Sequence, residues 1–290
     1  TCQDPGMRMV TLADGVPVPC LGLGTWRMGE SRSSHAADVA AVRQALELGY
    51  RLIDTAEMYG AGGAERVVGE ALRGASQAGT VRREDVFLVT KVLPGNASRK
   101  GTVAACERSL DRLGVDRVDL YLLHWRGGHP LRETVAAFEA LRERGRIRAW
   151  GVSNFDVDDM DELWSVADGP RCLANQVYYS ASERGIEFDL LPAQRRRSVA
   201  TMAYCPIDQG ALASDPTLAE IGRRLGASAA QVALAWVLRQ PDVIAIPKAG
   251  RERHLRENLA AAALKLTDGD LAAIDARFAP PRRKQRLAMT

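Results

Sequence analysis

Val118-Asp119-Leu120-Tyr121-Leu122-Leu123, then a helix-spaced stretch over 133–144, then Ala149-Trp150-Gly151-Val152: this passage decides the fold. The first run is short and mostly apolar, the pattern of a strand buried on both faces. Residues 133–144 place apolar side chains at helical spacing and stop at Gly145, a residue suited to the left-handed end of a helix. A second short apolar run follows at 149–152. Buried strands separated by helices imply a parallel sheet with right-handed crossovers.

The same rhythm extends in both directions. Strands are expected at 21–23, 51–54, 86–90, 118–123, 149–152, 172–175, 199–203 and 243–246. Helices are expected at 36–48, 64–72, 102–113, 133–144, 157–166, 186–196, 218–225, 229–239, 254–264 and 268–278. Eight strands, each followed by a helix, fit a closed (β/α)8 TIM barrel better than the alternative, an open doubly wound sheet. The fold class is therefore α/β. Residues 9–18, with Ala13-Asp14-Gly15 at their centre, read as an N-terminal β-hairpin plug, and the last units carry extra C-terminal helices. The expectation is one barrel domain over 1–290, with 1–8 a disordered or non-native start and Met7 or Met9 the initiator.

Composition narrows the class of function. Among 290 residues, 39 Lys and Arg face 36 Asp and Glu, a net charge of +3, which argues against a dedicated binder of nucleic acid or of acidic membranes. The 46% hydrophobic and 26% charged fractions exclude general disorder. No apolar run approaches the roughly 18 residues of a membrane span. No apolar leader segment opens the chain. Cys2, Cys20, Cys106, Cys172 and Cys205 are widely spaced with no CxxC, which reads as reduced thiols in a cytoplasmic protein. The scattered histidines speak against a metal site. A monomer is expected, without nucleic-acid or membrane partners.

In a barrel of this kind, chemistry sits at the C-terminal ends of the strands. Asp54, Lys91, His124, Ser153-Asn154, Gln176, Tyr204 and Lys248 all fall there. Four groups belong together: Asp54, Tyr59, Lys91 and His124. A phenol with a pKa of about 10 is a poor acid at neutral pH, and a nearby ammonium lowers that value. A carboxylate holds the ammonium, and an imidazole shares a proton or orients a polar substrate. The set makes a general acid aimed at a carbonyl oxygen. Taken singly, each has a plainer reading: Asp54 as a helix cap, Lys91 as a solvated loop residue, His124 as a structural histidine, Tyr59 as a rim aromatic.

At this point the chain resembles the aldo-keto reductase family. The resemblance runs over almost the whole length, through Gly22-Leu23-Gly24-Thr25-Trp26, Ile53-Asp54-Thr55-Ala56-Glu57-Met58-Tyr59-Gly60, Thr90-Lys91, Asp119-Leu120-Tyr121-Leu122-Leu123-His124-Trp125, Gly145-Arg146-Ile147-Arg148, Gly151-Val152-Ser153-Asn154-Phe155, Asn175-Gln176 and Ile246-Pro247-Lys248. Residues 54–72 look most like bacterial members that reduce small aldehydes such as methylglyoxal. The resemblance implies NADPH-dependent reduction of small aldehydes or ketones to alcohols by hydride transfer. Within it, Tyr59 is the proton donor, Lys91 lowers its pKa and bridges to Asp54, and His124 orients the carbonyl or assists the proton.

Ser153, Asn154 and Gln176 match nicotinamide carboxamide ligands. Tyr204 matches the ring stacked on the nicotinamide. Lys248 matches the cation beside the 2′-phosphate, and Glu257 and Asn258 match adenine contacts. Thr25, Trp26, Cys205, Ile207 and His254 complete the implied cofactor surface. Trp26 and Trp125 join Tyr59 and His124 as implied substrate walls, with Met28 adding to an apolar mouth, and the C-terminal segment 278–289 approaches the substrate. Three departures stand out: His254 where many members have Arg, Ala249 and Cys205 where Ser is usual. A neutral imidazole lacks the guanidinium fork, so NADH use stays open beside NADPH.

Other signatures fail. There is no GxGxxG, no Walker A loop, no HExxH and no nucleophile elbow. Residues 280–284 are basic and read as a solvated segment. The alternative to an enzyme is a nucleotide-binding, weakly catalytic regulatory member of the same family.

Overall fold

The computed structural model describes residues 7–290. The hairpin comes first: β1 (Met9–Thr11) pairs antiparallel with β2 (Pro17–Pro19), Met9 opposite Pro19. Then β3 (Leu23–Gly24), β4 (Leu52–Asp54), β5 (Phe87–Val92), β6 (Val118–Leu123), β7 (Ile147–Ser153), β8 (Ala174–Tyr178), β9 (Ala200–Tyr204) and β10 (Val243–Ala245) pair in chain order, all parallel. Parallel bridges Leu21 to Ala245 and Gly24 to Lys248 bring the last strand back to the first and close the barrel. The seam is tight: a Cβ on Gly24 would lie 2.6 Å from the Ile246 carbonyl oxygen, so only glycine lets the two backbones approach.

Around the barrel run α1 (His35–Glu47), α2 (Gly63–Gln77), α3 (Arg99–Leu113), α4 (Leu131–Glu143), α5 (Val157–Ser165), α6 (Leu190–Arg196), α7 (Pro216–Leu225), α8 (Ala229–Leu238), α9 (Glu252–Ala261) and α10 (Asp268–Arg277). Local chemistry explains their ends. Ser98, Ser228 and Thr267 cap α3, α8 and α10 by accepting from the backbone three residues on, and Asp215 caps α7 by accepting from Thr217 and Leu218. Gly114 and Gly226 end α3 and α7 in the left-handed conformation.

Several elements differ from expectation: α2, expected over 64–72, runs through Gly74 to Gln77, and the first barrel strand, expected at 21–23, lies at Leu23–Gly24. The helix expected over 186–196 is split into a 3-10 turn, Gly185–Glu187, and a short α6, because Pro192 has no N–H to donate and fits only a first helical turn. The strand expected at 172–175 lies at Ala174–Tyr178. Its polar residues are both buried on opposite faces: Gln176 turns into the barrel and donates to Asp54, while Asn175 turns out and donates to Gln194 on α6.

The hairpin covers the N-terminal end of the barrel. Arg8 donates to the Pro241, Leu238 and Gln240 carbonyls ahead of β10, and Asp14 pairs with Arg148 near the start of β7. Of the start assigned to 1–8, residues 1–6 lie outside the described residues, while Met7 packs on the core beside Arg8. The opposite, C-terminal end is left for a site. Among the described residues no helix is long and apolar enough to cross a membrane.

Candidate active site

A cavity of about 970 Å³ opens at that end. Its lining includes Trp26, Asp54, Tyr59, His124, Trp125, Ser153, Asn154, Gln176, Tyr204, Cys205, Ile207, Lys248, His254, Glu257 and Asn258, so nearly all the residues singled out in sequence meet in one space. Strand ends bring them together. Asp54, Ser153 and Tyr204 are the last residues of β4, β7 and β9, while His124, Asn154 and Lys248 follow shortly after β6, β7 and β10.

Lys91 is the organising group. It is wholly buried inside β5, one residue short of the strand's end, not in the solvated loop its position after Thr90 suggests. Its Nζ donates to Asp54 Oδ1 at 2.9 Å and Oδ2 at 2.7 Å, to the Thr55 carbonyl at 2.9 Å, and to Tyr59 Oη at 3.3 Å. Gln176 Nε2 donates to Asp54 Oδ1 at 2.7 Å. Burial opposes charge on both partners. It holds Asp54 above the ordinary carboxylate range although Lys91 and Gln176 pull it down. For Lys91, burial pulls the ammonium down, but Asp54 and Tyr59 outweigh it and the net direction is up.

Tyr59 does not follow the expectation of a lowered pKa. Burial raises it, and the Lys91 charge offsets only part of that rise. The phenol therefore stays protonated at neutral pH, with the Lys91 ammonium beside it. Because Lys91 donates to Tyr59 Oη, the phenol's own hydrogen is turned away from Lys91.

His124 stands edge-on to Tyr59, ring centroids 5.8 Å apart, and 4.9 Å from Trp125. Burial, then Lys91, pushes its pKa down to about 3, so it is a neutral imidazole. Nδ1 is buried without a partner, which leaves Nε2 as the nitrogen that can meet a ligand.

The amide set beside these groups is interlocked. Tyr204 Oη donates to Asn154 Oδ1 at 2.8 Å, and Asn154 Nδ2 donates to the His124 carbonyl at 3.1 Å and to Ser153 Oγ at 3.2 Å. Ser153 Oγ donates to the Gln176 carbonyl at 2.9 Å. The loop after β9 has an unusual backbone: Cys205, Asp208, Gln209 and Gly210 all have φ between 48° and 98°. Within it the Asp208 N–H donates to the Cys205 carbonyl at 2.9 Å and the Gly210 N–H to the Ile207 carbonyl at 3.0 Å, and Cys205, Ile207, Gln209 and Gly210 line the cavity.

At the far end, Lys248 and His254 are exposed on the lining, Asn258 is buried, and Glu257 accepts from Arg253 Nε at 2.7 Å.

Two residues assigned to the site from sequence are absent from the cavity lining. Thr25 does not reach the cavity: it is fully buried and its hydroxyl donates to the Asp54 carbonyl at 2.9 Å. Met28 is fully buried in the core, and Met58 stands at the mouth instead. Further residues complete the lining, Arg253 and Met289 where the sequence placed a nearby cation and the C-terminal segment, and Arg27, Gln209 and Thr290 without such a signal. Arg27 stacks over Trp26 with its guanidinium carbon 4.4 Å from the ring centroid. The basic stretch 280–284 is not merely solvated, since Lys284 bridges Asp156 and Asp189 at 2.9 Å each and holds the C-terminal segment against the barrel.

The barrel and this set of strand-end groups define a class, and the comparison with known proteins agrees: the chain belongs to the aldo/keto reductase family, whose model matches residues 20–277. It is 46% identical over 287 residues to methylglyoxal reductase YeaE of Escherichia coli (strain K12), covering 97% of this chain and 99% of that protein. It is 35% identical over 267 residues to glyoxal reductase of Bacillus subtilis (strain 168), covering 92% and 91%. A crystal structure of an aldo/keto reductase from Klebsiella pneumoniae in complex with NADP and acetate superposes with a TM-score of 0.93 at 46% identity, covering 98% of this chain and 100% of that one.

Proposed function

We propose that this chain reduces small aldehydes and ketones, methylglyoxal among them, to alcohols with NADPH, and that Tyr59 donates the proton. One observation carries the reading: Lys91 Nζ spends its protons on Asp54, Thr55 and Tyr59 Oη, so the Tyr59 hydroxyl is left free to donate to a carbonyl oxygen.

The cavity suits the dinucleotide. Lys248 offers a point charge to a phosphate at one end, with Arg253 and His254 beside it. Arg27 and the left-handed loop 205–210 suit the pyrophosphate. Ser153, Asn154 and Gln176 offer amide and hydroxyl groups to a carboxamide, and Tyr204 offers a ring face. When bound, NADPH supplies the hydride. The protein supplies the rest. His124, neutral, donates from Nε2 to the substrate oxygen and orients it. Tyr59 gives that oxygen its proton, and the phenolate left behind is stabilised by Lys91. Asp54 and Gln176 keep Lys91 charged and fixed. Trp26 and Trp125 wall the pocket and Met58 stands at its mouth, a surface suited to a small substrate of low polarity. The relatives named for methylglyoxal and glyoxal support that size class.

The test is loss of nicotinamide absorbance with methylglyoxal, NADPH and NADH run side by side, against Tyr59→Phe. The expected result is turnover with NADPH that falls by about 10² or more in the variant while coenzyme affinity holds. Wild-type turnover in Tyr59→Phe would remove Tyr59 from its role. Tight NADPH binding with no turnover across a broad aldehyde panel would favour the regulatory alternative.

A further inference from the structure

Tyr59 heads a turn in which Gly60, Ala61 and Gly62 all take left-handed backbone angles, φ 56°, 50° and 83°. Three such residues in a row, one of them alanine, persist only where the surroundings fix them. Gly60 is fixed by the Gly29 backbone, whose carbonyl oxygen would lie 2.8 Å from a Cβ at Gly60. Gly62 is fixed by a side chain from α3: a Cβ there would lie 2.6 Å from both Cδ and Nε of Arg112.

Arg112 is itself anchored. Its Nε donates to Glu65 Oε2 at 2.6 Å, and its Nη2 to Ser109 Oγ at 3.2 Å. Glu65 lies in the first turn of α2 and is wholly buried. Its other oxygen, Oε1, accepts the Thr90 hydroxyl at 2.6 Å. Thr90 is the strand neighbour of Lys91, and alternation in β5 turns Thr90 outward to the helices and Lys91 inward to the barrel. One buried carboxylate thus joins the segment that carries Tyr59 to the strand that carries Lys91. Glu65, Arg112 and Thr90 do not line the cavity.

We propose that Glu65, held between Arg112 and Thr90, is a positioning residue that sets the 3.3 Å approach of Lys91 to Tyr59 and, through it, the readiness of Tyr59 to release its proton. The proposal rests on Tyr59 being the donor. An ammonium that drifts from the phenol stabilises the phenolate less, so proton transfer slows and the phenol titrates at higher pH. A residue serving the fold alone would change stability and leave that titration where it was.

The test uses the full chain with NADPH and methylglyoxal, in single-turnover reduction from about pH 6 to about pH 10. The variants are Thr90→Val, which keeps shape and removes the hydroxyl, Thr90→Ser, Glu65→Gln and Tyr59→Phe. Thermal unfolding and NADPH affinity are read in parallel. We expect Thr90→Val and Glu65→Gln to slow reduction by about 5- to 20-fold, with substrate KM and NADPH affinity near wild type. Their alkaline limb should move up by about half a pH unit or more, and Thr90→Ser should restore both rate and limb. A folded Thr90→Val with the wild-type rate and limb would overturn the proposal. So would a lowered melting temperature with an unmoved limb. If Glu65→Gln does not fold, the Thr90 pair decides. Wild-type turnover in Tyr59→Phe would instead remove the donor reading, and the proposal with it, a result distinct from an inactive Tyr59→Phe beside an unaltered Thr90→Val.

Discussion

The two ends of the cavity hold charge in opposite ways. At the Tyr59 end, the charged pair Asp54 and Lys91 is buried, and β4 and β5 supply it. At the far end, Lys248, Arg253 and His254 are exposed, on the loop after β10 and on α9. Arg253 there is tied to Glu257 by an exposed i,i+4 pair, a kind that contributes little to stability. Buried charges fix protonation and geometry, and disturbing them is costly. Exposed charges add affinity that salt screens and that substitution changes at little cost to the fold.

The largest test of this contrast is Lys91→Met. It strands the buried Asp54 with Gln176 as its remaining side-chain donor, and breaking a buried pair in this way costs about 3–5 kcal/mol. Denaturant unfolding should show that loss, and reduction should fall at least as far as in Tyr59→Phe. Stability near wild type would break the comparison. A smaller effect is expected at the far end. Lys248→Ala should weaken NADPH binding about tenfold, leave NADH binding unchanged, and shift stability by no more than about 0.5 kcal/mol. The difference between the two coenzymes should also shrink as salt rises.

The smallest concerns pH. His124 is held down to about 3 from 6.5, so as pH falls below 6.5 the unfolded chain takes up a proton that the folded chain refuses. The folded state therefore loses stability across that window as pH falls. Between about pH 7.5 and 5.5, His124→Gln should lose less than the wild type by up to about 1.4 kcal/mol in urea unfolding. Equal losses would mean that His124 is not the buried neutral group described.

The contrast also governs how much can be read from sequence. All eight barrel strands were legible because their cores are short apolar runs punctuated by glycine-stopped helices, as at Leu113-Gly114 and Glu143 to Gly145. Their ends were less so. Lys91 and Gln176 are polar yet lie within strands, because a barrel's interior can satisfy polar groups that hydropathy assigns to loops. That Asp54, Tyr59, Lys91 and His124 meet was legible since strand ends share one rim in any such barrel. Arg27 and Gln209 were not, because a loop residue reaches the cavity through backbone direction, as with the left-handed φ of 64° at Arg27. Met28 and Met58 show the same limit: periodicity does not say which methionine faces the mouth.

The barrel closes where Leu21 meets Ala245 and Gly24 meets Lys248, the most distant parts of the barrel's sequence. Bringing such distant segments together carries a large loop-closure cost. Trp26 and Lys248 flank this seam, so the cavity is built across the joint between the barrel's first and last strands. A dinucleotide spanning both sides would then act as a clasp, favouring the shut barrel over the ajar one by mass action. By that linkage, bound coenzyme would add to the free energy of opening the seam.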